Sequence, residues 1–91
     1  SPAQIVFLAQ GKLTGSASCN NFISTYTIDK HNTLSVTPAN TTRKMCFEAL
    51  MEQEQRFIHL LPEVSDYRIE FDILYLSDKK NNQLFKASRT Q

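Results

Sequence analysis

The chain has 91 residues, 10 of them Lys or Arg and 9 Asp or Glu, for a formal net charge of +1. That length makes one domain, spanning residues 1–91, with a modest core in which a single cross-link would matter to stability. The near balance of charge supplies no long-range field, which excludes nucleic acid or an anionic membrane surface as the main partner, and no apolar run reaches the roughly 20 residues of a transmembrane segment. The short basic pairs Arg43-Lys44 and Lys79-Lys80 read as solvated loops. The chain opens on Ser-Pro with neither an initiator Met nor a basic-then-apolar leader, the pattern expected of a mature or trimmed fragment. Cys19 and Cys46 are compatible with one disulfide or with two cytosolic thiols, so composition leaves the compartment open.

In chain order, the apolar and β-branched run QIVFLA at Gln4 to Ala9 predicts a buried strand, and Gln10-Gly11-Lys12 predicts the turn of a hairpin. LTGSAS then alternates Leu13, Gly15 and Ala17 with polar residues, an inner face of small side chains that the helix could approach closely. After the polar turn SCNN, the segment FISTYTI places Phe22, Ser24, Tyr26 and Ile28 on one face, a strand of period two. Asp29-Lys30-His31-Asn32 is a turn and TLSVT returns, so residues 22–37 form a hairpin closed by Pro38. From Phe47 to Leu61 the apolar residues Phe47, Leu50, Met51, Phe57, Ile58 and Leu61 recur at three- and four-residue steps. They predict one helix near residues 46–61, ended by Pro62, with Glu54 inside its apolar stripe. DYRIEF, ILYLS and QLFKA follow as a three-stranded meander. Strands, one helix and further strands make the class α+β with an antiparallel sheet.

The succession SCNNFISTYTI, LSV, TTRKMC, a helix with Glu three before Phe, then YRI and LYL, closely resembles the META domain, a family that includes the HslJ-like heat-shock-associated proteins. Cys19, Asn20, Phe22, Tyr26, Thr42, Cys46, Glu54 and Phe57 match its pattern by position. Departures are Ser18 and Ser24, which stand where the family carries Gly, and the apparent lack of the family's first strand, which could leave one sheet edge open. The resemblance implies a strongly curved antiparallel sheet, a cracked barrel, wrapped on the single helix. It also implies a stress-associated, non-enzymatic protein of the bacterial envelope: periplasmic, an outer-membrane lipoprotein, or secreted. No cofactor or metal is implied, and the partner would be an unidentified envelope protein or lipid. A similarity in shape to secretin pilotins adds an alternative, a carrier of lipid or peptide.

Cys19 and Cys46 admit several roles: nucleophile, metal ligands, disulfide, or buried thiols. A thiol nucleophile needs a base in hydrogen-bond reach, but His59 lies thirteen residues beyond Cys46, about 20 Å along a continuous helix. A zinc site from both Cys and both His fails on the same distance, and the spacing is not that of paired ligands. The disulfide Cys19–Cys46 rests on the oxidising location that the resemblance implies and on packing. Cys19 ends the small-residue strand where the chain turns, and Cys46 stands at the start of the helix expected to cover that strand. Glu54 in an apolar stripe could be an acid or base, but no second acid, His or metal ligand is placed to cooperate with it. Its expected role is to accept hydrogen bonds from the SCNN turn. Asn40-Thr41-Thr42 is formally a glycosylation sequon and is treated as chance. A protease inhibitor or a Cys-dependent enzyme is the remaining alternative; neither an exposed rigid loop nor a polar cleft is visible in the sequence.

Overall fold

A computed structural model of the chain describes residues 3–88. Gln4–Leu8 (β1), Lys12–Ser16 (β2), Asn21–Ile28 (β3), Leu34–Val36 (β4) and the short Asn40–Thr41 (β5) precede the helix Glu48–Leu60 (α1). Asp66–Glu70 (β6), Ile73–Ser77 (β7) and Gln83–Ser88 (β8) follow it. All pairings are antiparallel: β1-β2-β3-β4 in order, with β5 also on β3, and a separate meander β6-β7-β8.

The hairpin turns have a local cause that the sequence repeats. Asp29 accepts hydrogen bonds from the N–H groups of His31 and Thr33, and Asp78 does the same for Lys80 and Asn82. In both turns an Asn, Asn32 or Asn81, takes the positive φ that Asn tolerates best after Gly. The donors converging on Asp78 hold its carboxyl below the usual carboxylate range, led by the Asn82 backbone N–H.

Four expectations are corrected here. The strands do not make one sheet or close into a cracked barrel; they form two sheets, of five and three strands. The physical reason lies at the junction, where the three-residue β4 offers too short an edge: Leu34 N–H donates to Ser65 O at 3.1 Å and Ser65 N–H to Ser77 O at 2.9 Å, and no ladder continues from them. The helix begins at Glu48 rather than Cys46, because Thr42, Lys44 and Cys46 are tied to the β2–β3 turn by bonds described below and Phe47 has non-helical angles, φ −57 and ψ 147; Phe47, assigned to the apolar stripe, stands at the helix N-cap and is 84% exposed. Pro62 does not drive Leu61 out of helical angles: Leu61 keeps φ −54 and ψ −49, and the chain passes into a 3₁₀ turn, Leu61–Glu63, whose early position tolerates a residue without an N–H. QIVFL is a strand, but an exposed edge strand rather than a buried one.

The core joins the two sheets through α1. Phe57 lies 5.5 Å by ring centroid from Phe22 of β3 and 5.0 Å from Phe85 of β8, so one helical side chain touches both sheets. Around it are buried Leu13, Ala17, Leu34, Val36, Leu61, Val64 and Leu76, with Ile58 of α1 packed against them. Burying such side chains is worth roughly 1.5–3 kcal/mol each, enough to fix the helix across both sheets. Gly15 is needed within this packing: a Cβ there would lie 1.9 Å from the Gln4 carbonyl oxygen and 2.9 Å from the Phe22 ring. What approaches the small-residue strand at Gly15 is therefore the neighbouring β1 backbone and Phe22, not the helix.

Candidate functional site

The residues singled out in the sequence converge on the turn between β2 and β3. Two features bring them there: the chain reverses at Ala17 to Asn20, closed by Ala17 N–H to Asn20 O at 2.8 Å, and α1 lays its middle turn over that reversal. Ser18 turns the chain with φ 88, a conformation natural to Gly. Asn20 then faces the helix. Its backbone N–H donates to Glu54 Oε1 at 2.5 Å and its Nδ2 to Glu54 Oε2 at 2.8 Å, so the carboxylate grips one residue by main chain and side chain together. Asn20 and Glu54 are both buried, Glu54 at 7% exposure.

The same Asn20 holds the segment before the helix. Its Oδ1 accepts from Thr42 Oγ1 at 2.9 Å and from Lys44 N–H at 2.6 Å, and its Nδ2 donates to Lys44 O at 3.3 Å. Thr42 Oγ1 also accepts from Asn21 N–H at 3.2 Å, and Thr42 N–H donates to Asn21 O at 3.1 Å. Two residues past Lys44, Cys46 is disulfide-bonded to Cys19, with Cα atoms 6.1 Å apart and a sequence separation of 27. Asn20, Thr42, Glu54 and the disulfide thus form a single knot tying the β2–β3 turn, the extended arm 42–47 and α1.

Phe22, Tyr26 and Phe57 lie outside this knot. Phe22 and Phe57 are packed in the core, and Tyr26 donates its hydroxyl to Leu8 O at 2.8 Å while meeting Phe7 edge-on at 5.1 Å between ring centroids. Tyr26 therefore holds the end of β1. Ser24, in a position where a smaller residue was expected, is buried and gives its hydroxyl to Thr37 O at 2.5 Å, with Thr37 Oγ1 3.0 Å away. Thr37 and the main chain of Lys44 were not identified from the sequence. The Ser24 hydroxyl on the inward face of β3, which needs a partner, is the available signal for the first; the second acts through backbone atoms, which leave no mark on residue identity.

Chemically the arrangement is closed. Among the described residues no buried side-chain nitrogen or oxygen lacks a hydrogen-bond partner, so nothing at the knot is aimed at an absent ligand. His59 lies on the helix beside Gln55, Arg56 and Leu60 around a shallow surface recess, and His31 lies in the β3–β4 turn. Among the described residues no three His, Cys, Asp or Glu side chains are grouped to hold a metal ion, and no helix is long and apolar enough to cross a membrane. A further recess, bounded by Gln10, Gly11 and Thr25 to Ile28, is an open surface hollow.

Comparison with curated proteins gives no match. Among solved structures, the chain is similar to a protein from Burkholderia xenovorans determined by NMR, with a TM-score of 0.70 and 17% sequence identity over 88% of this chain and 57% of that one. The chain thus spans little more than half the length of that protein, and the two share a fold. The family model of the META domain matches residues 1–91, the whole of this chain. With Cys19, Asn20, Thr42, Cys46 and Glu54 drawn into one knot and that match covering every residue, the chain belongs to the META domain family.

Proposed function

We propose that the chain is a non-catalytic binding or protective module of the bacterial envelope or secreted space, associated with stress response. The META domain is not a known enzyme family. The observation that carries the proposal is a division of labour across the molecule: the polar groups of the knot bond to one another, while large apolar side chains outside it face solvent. Phe71 at the β6–β7 tip is 97% exposed and neighbouring Ile69 is 66% exposed. Met45 and Phe47 flank the bridged Cys46 and are also exposed. Phe71 adopts φ 52, a conformation that disfavours a bulky side chain, so neither local geometry nor burial accounts for an aromatic residue there. The disulfide supports an oxidising compartment.

The test is capture from envelope extract of heat-stressed and unstressed cells, with bound protein and lipid both identified by mass spectrometry. The immobilised 91-residue chain should retain a reproducible protein set that increases on stress, and the double variant Ile69→Ser, Phe71→Ser should lose most of it. Equal capture by the variant would refute the role given to this tip. Stoichiometric lipid on the wild-type chain would replace the proposal with a pilotin-like carrier.

A further inference from the structure

We propose that the Cys19–Cys46 bridge is a thiol-exchange site of the folded protein, at which a small anionic thiol attacks Cys46 and leaves Cys19 as the free thiol. Exchange needs no base from the protein, because the incoming thiolate is the nucleophile and the bridge is the electrophile. The distance of His59 from Cys46 therefore does not bear on it.

The two sulfurs differ in access, and access decides which one is attacked. Cys19 is buried at 7% exposure, whereas Cys46 is half-buried and stands between Met45 and Phe47, 82% and 84% exposed. The sulfur that leaves needs partners, and Cys19 has them. Asn20 Nδ2 donates to Cys19 Sγ at 3.5 Å, and the Lys44 carbonyl oxygen lies 3.5 Å from the same sulfur. A bridged sulfur carries no hydrogen, so that carbonyl receives nothing from it; a Cys19 thiol donates to it without moving. One donor and one acceptor for the thiol are thus in position before the bridge opens. Charge supplies the class of attacker. Arg43 and Lys44 are exposed and outnumber Glu48 between residues 43 and 48, giving Cys46 the partly exposed, electropositive setting of reactive cysteine sulfur.

The incoming thiolate forms a bond to Cys46 Sγ as the bond between the two cysteines breaks. The electron pair departs with Cys19 Sγ, which takes a proton from water. Cys46 then carries a mixed disulfide, and attack on it by the Cys19 thiolate recloses the bridge and releases the small thiol, with no oxidant consumed. The fold survives the open state because its other ties do not pass through sulfur: Asn20 keeps Glu54, Thr42 Oγ1 and Lys44 N–H. Only the stretch 45–47 between Lys44 and α1 is freed, and with it the exposed Met45 and Phe47.

The oxidised 91-residue chain, treated with reduced glutathione, acid-quenched early in the reaction and mapped by peptide mass, reads the direction. Glutathione should stand on Cys46 at least about tenfold more often than on Cys19. Adducts on Cys19, adducts shared equally, or a bridge that opens without a Cys46 adduct would overturn the proposal. The rate should be the same in water and in urea below the unfolding transition; a rate that follows the unfolded fraction would place the attack on the unfolded chain and overturn it. The double variant Arg43→Gln, Lys44→Gln keeps the Lys44 main-chain bonds. At low ionic strength it should slow glutathione about threefold and leave uncharged β-mercaptoethanol unaffected. Equal effects on the two thiols, or none on either, would refute the anionic class of the attacker.

Discussion

Glu54→Ala removes the carboxylate that receives both the backbone N–H and Nδ2 of Asn20. Nδ2 keeps the Lys44 carbonyl at 3.3 Å, whereas the buried N–H loses its acceptor. A buried donor left unmet costs about 1–3 kcal/mol, and the second, charge-assisted bond adds about 1 more, giving a loss of about 2–4 kcal/mol. For a domain of this size that is a fall in Tm of roughly 10–25 °C and a large share of a total stability of about 5–15 kcal/mol. Glu54→Gln keeps the shape and one acceptor but turns an NH₂ toward a donor, so its loss should fall between that of Ala and wild type. Urea unfolding of the oxidised protein measures both, and a double-mutant cycle with Asn20→Ala should give a coupling above about 1 kcal/mol. A Glu54→Ala change within about 0.5 kcal/mol of wild type, or a coupling near zero, would show that the carboxylate does not hold the turn.

Opening the Cys19–Cys46 bridge frees a loop with a sequence separation of 27, worth roughly 3.5 kcal/mol on the chain-entropy model. Cys46→Ser should lower the urea midpoint accordingly, and denatured, unreduced protein should react with no thiol reagent; two reactive thiols would remove the basis for this figure. Gly15→Ala places a Cβ against the Gln4 carbonyl, where backbone must yield, and should cost about 1–3 kcal/mol by urea unfolding, a neutral result showing that β1 shifts freely. Ser18→Gly should stabilise by about 0.5–1 kcal/mol by relieving φ 88, and a loss would assign the Ser18 hydroxyl a role of its own. Asp78 has a folded-state pKa below its ordinary 3.8, so its contribution is complete above that pH and disappears as pH falls through the lower, folded value. The difference between wild type and Asp78→Ala in thermal scans should accordingly be present at neutral pH and shrink under strong acid; a pH-independent difference would contradict the hydrogen-bonding account.

Periodicity located the elements but not their partners. FISTYTI and DYRIE were read with a period of two and form β3 and β6, yet that period says which side of a strand faces the core, not which edge meets which. The expected closed sheet failed at that step, where the three-residue β4 ends the ladder. QIVFL misled in a related way: an unbroken apolar run reads as buried on both faces, but β1 is an edge, and only Ile5 is packed against the core cluster. Phe47 fitted the helical stripe by spacing, and tertiary bonds overrode it, since Lys44 and Cys46 fasten the arm in an extended form that helix geometry would break. Glu54 was legible for the opposite reason. A charge placed among Leu50, Met51, Phe57 and Ile58 demands partners, and the SCNN turn was the polar segment able to supply them.

The family pattern and the exposed surface are almost separate sets of residues in this chain. Cys19, Asn20, Thr42, Cys46 and Glu54 bond among themselves, Phe22 and Phe57 fill the core, and Tyr26 holds β1. Each of these side chains therefore has a structural partner inside the molecule. The most exposed large apolar side chains lie outside that pattern: Ile69 and Phe71 at the β6–β7 tip, and Met45 and Phe47 beside the bridged Cys46. The knot still bears on the second pair, because it ties the arm that carries Met45 and Phe47 to the β2–β3 turn. The order of effects is then diagnostic: Ile69→Ser, Phe71→Ser should reduce partner capture at unchanged stability, whereas Glu54→Ala should lower stability first and capture only in proportion to the fraction unfolded. Capture lost in fully folded Glu54→Ala would place the knot itself in the contact and contradict the separation of the two sets.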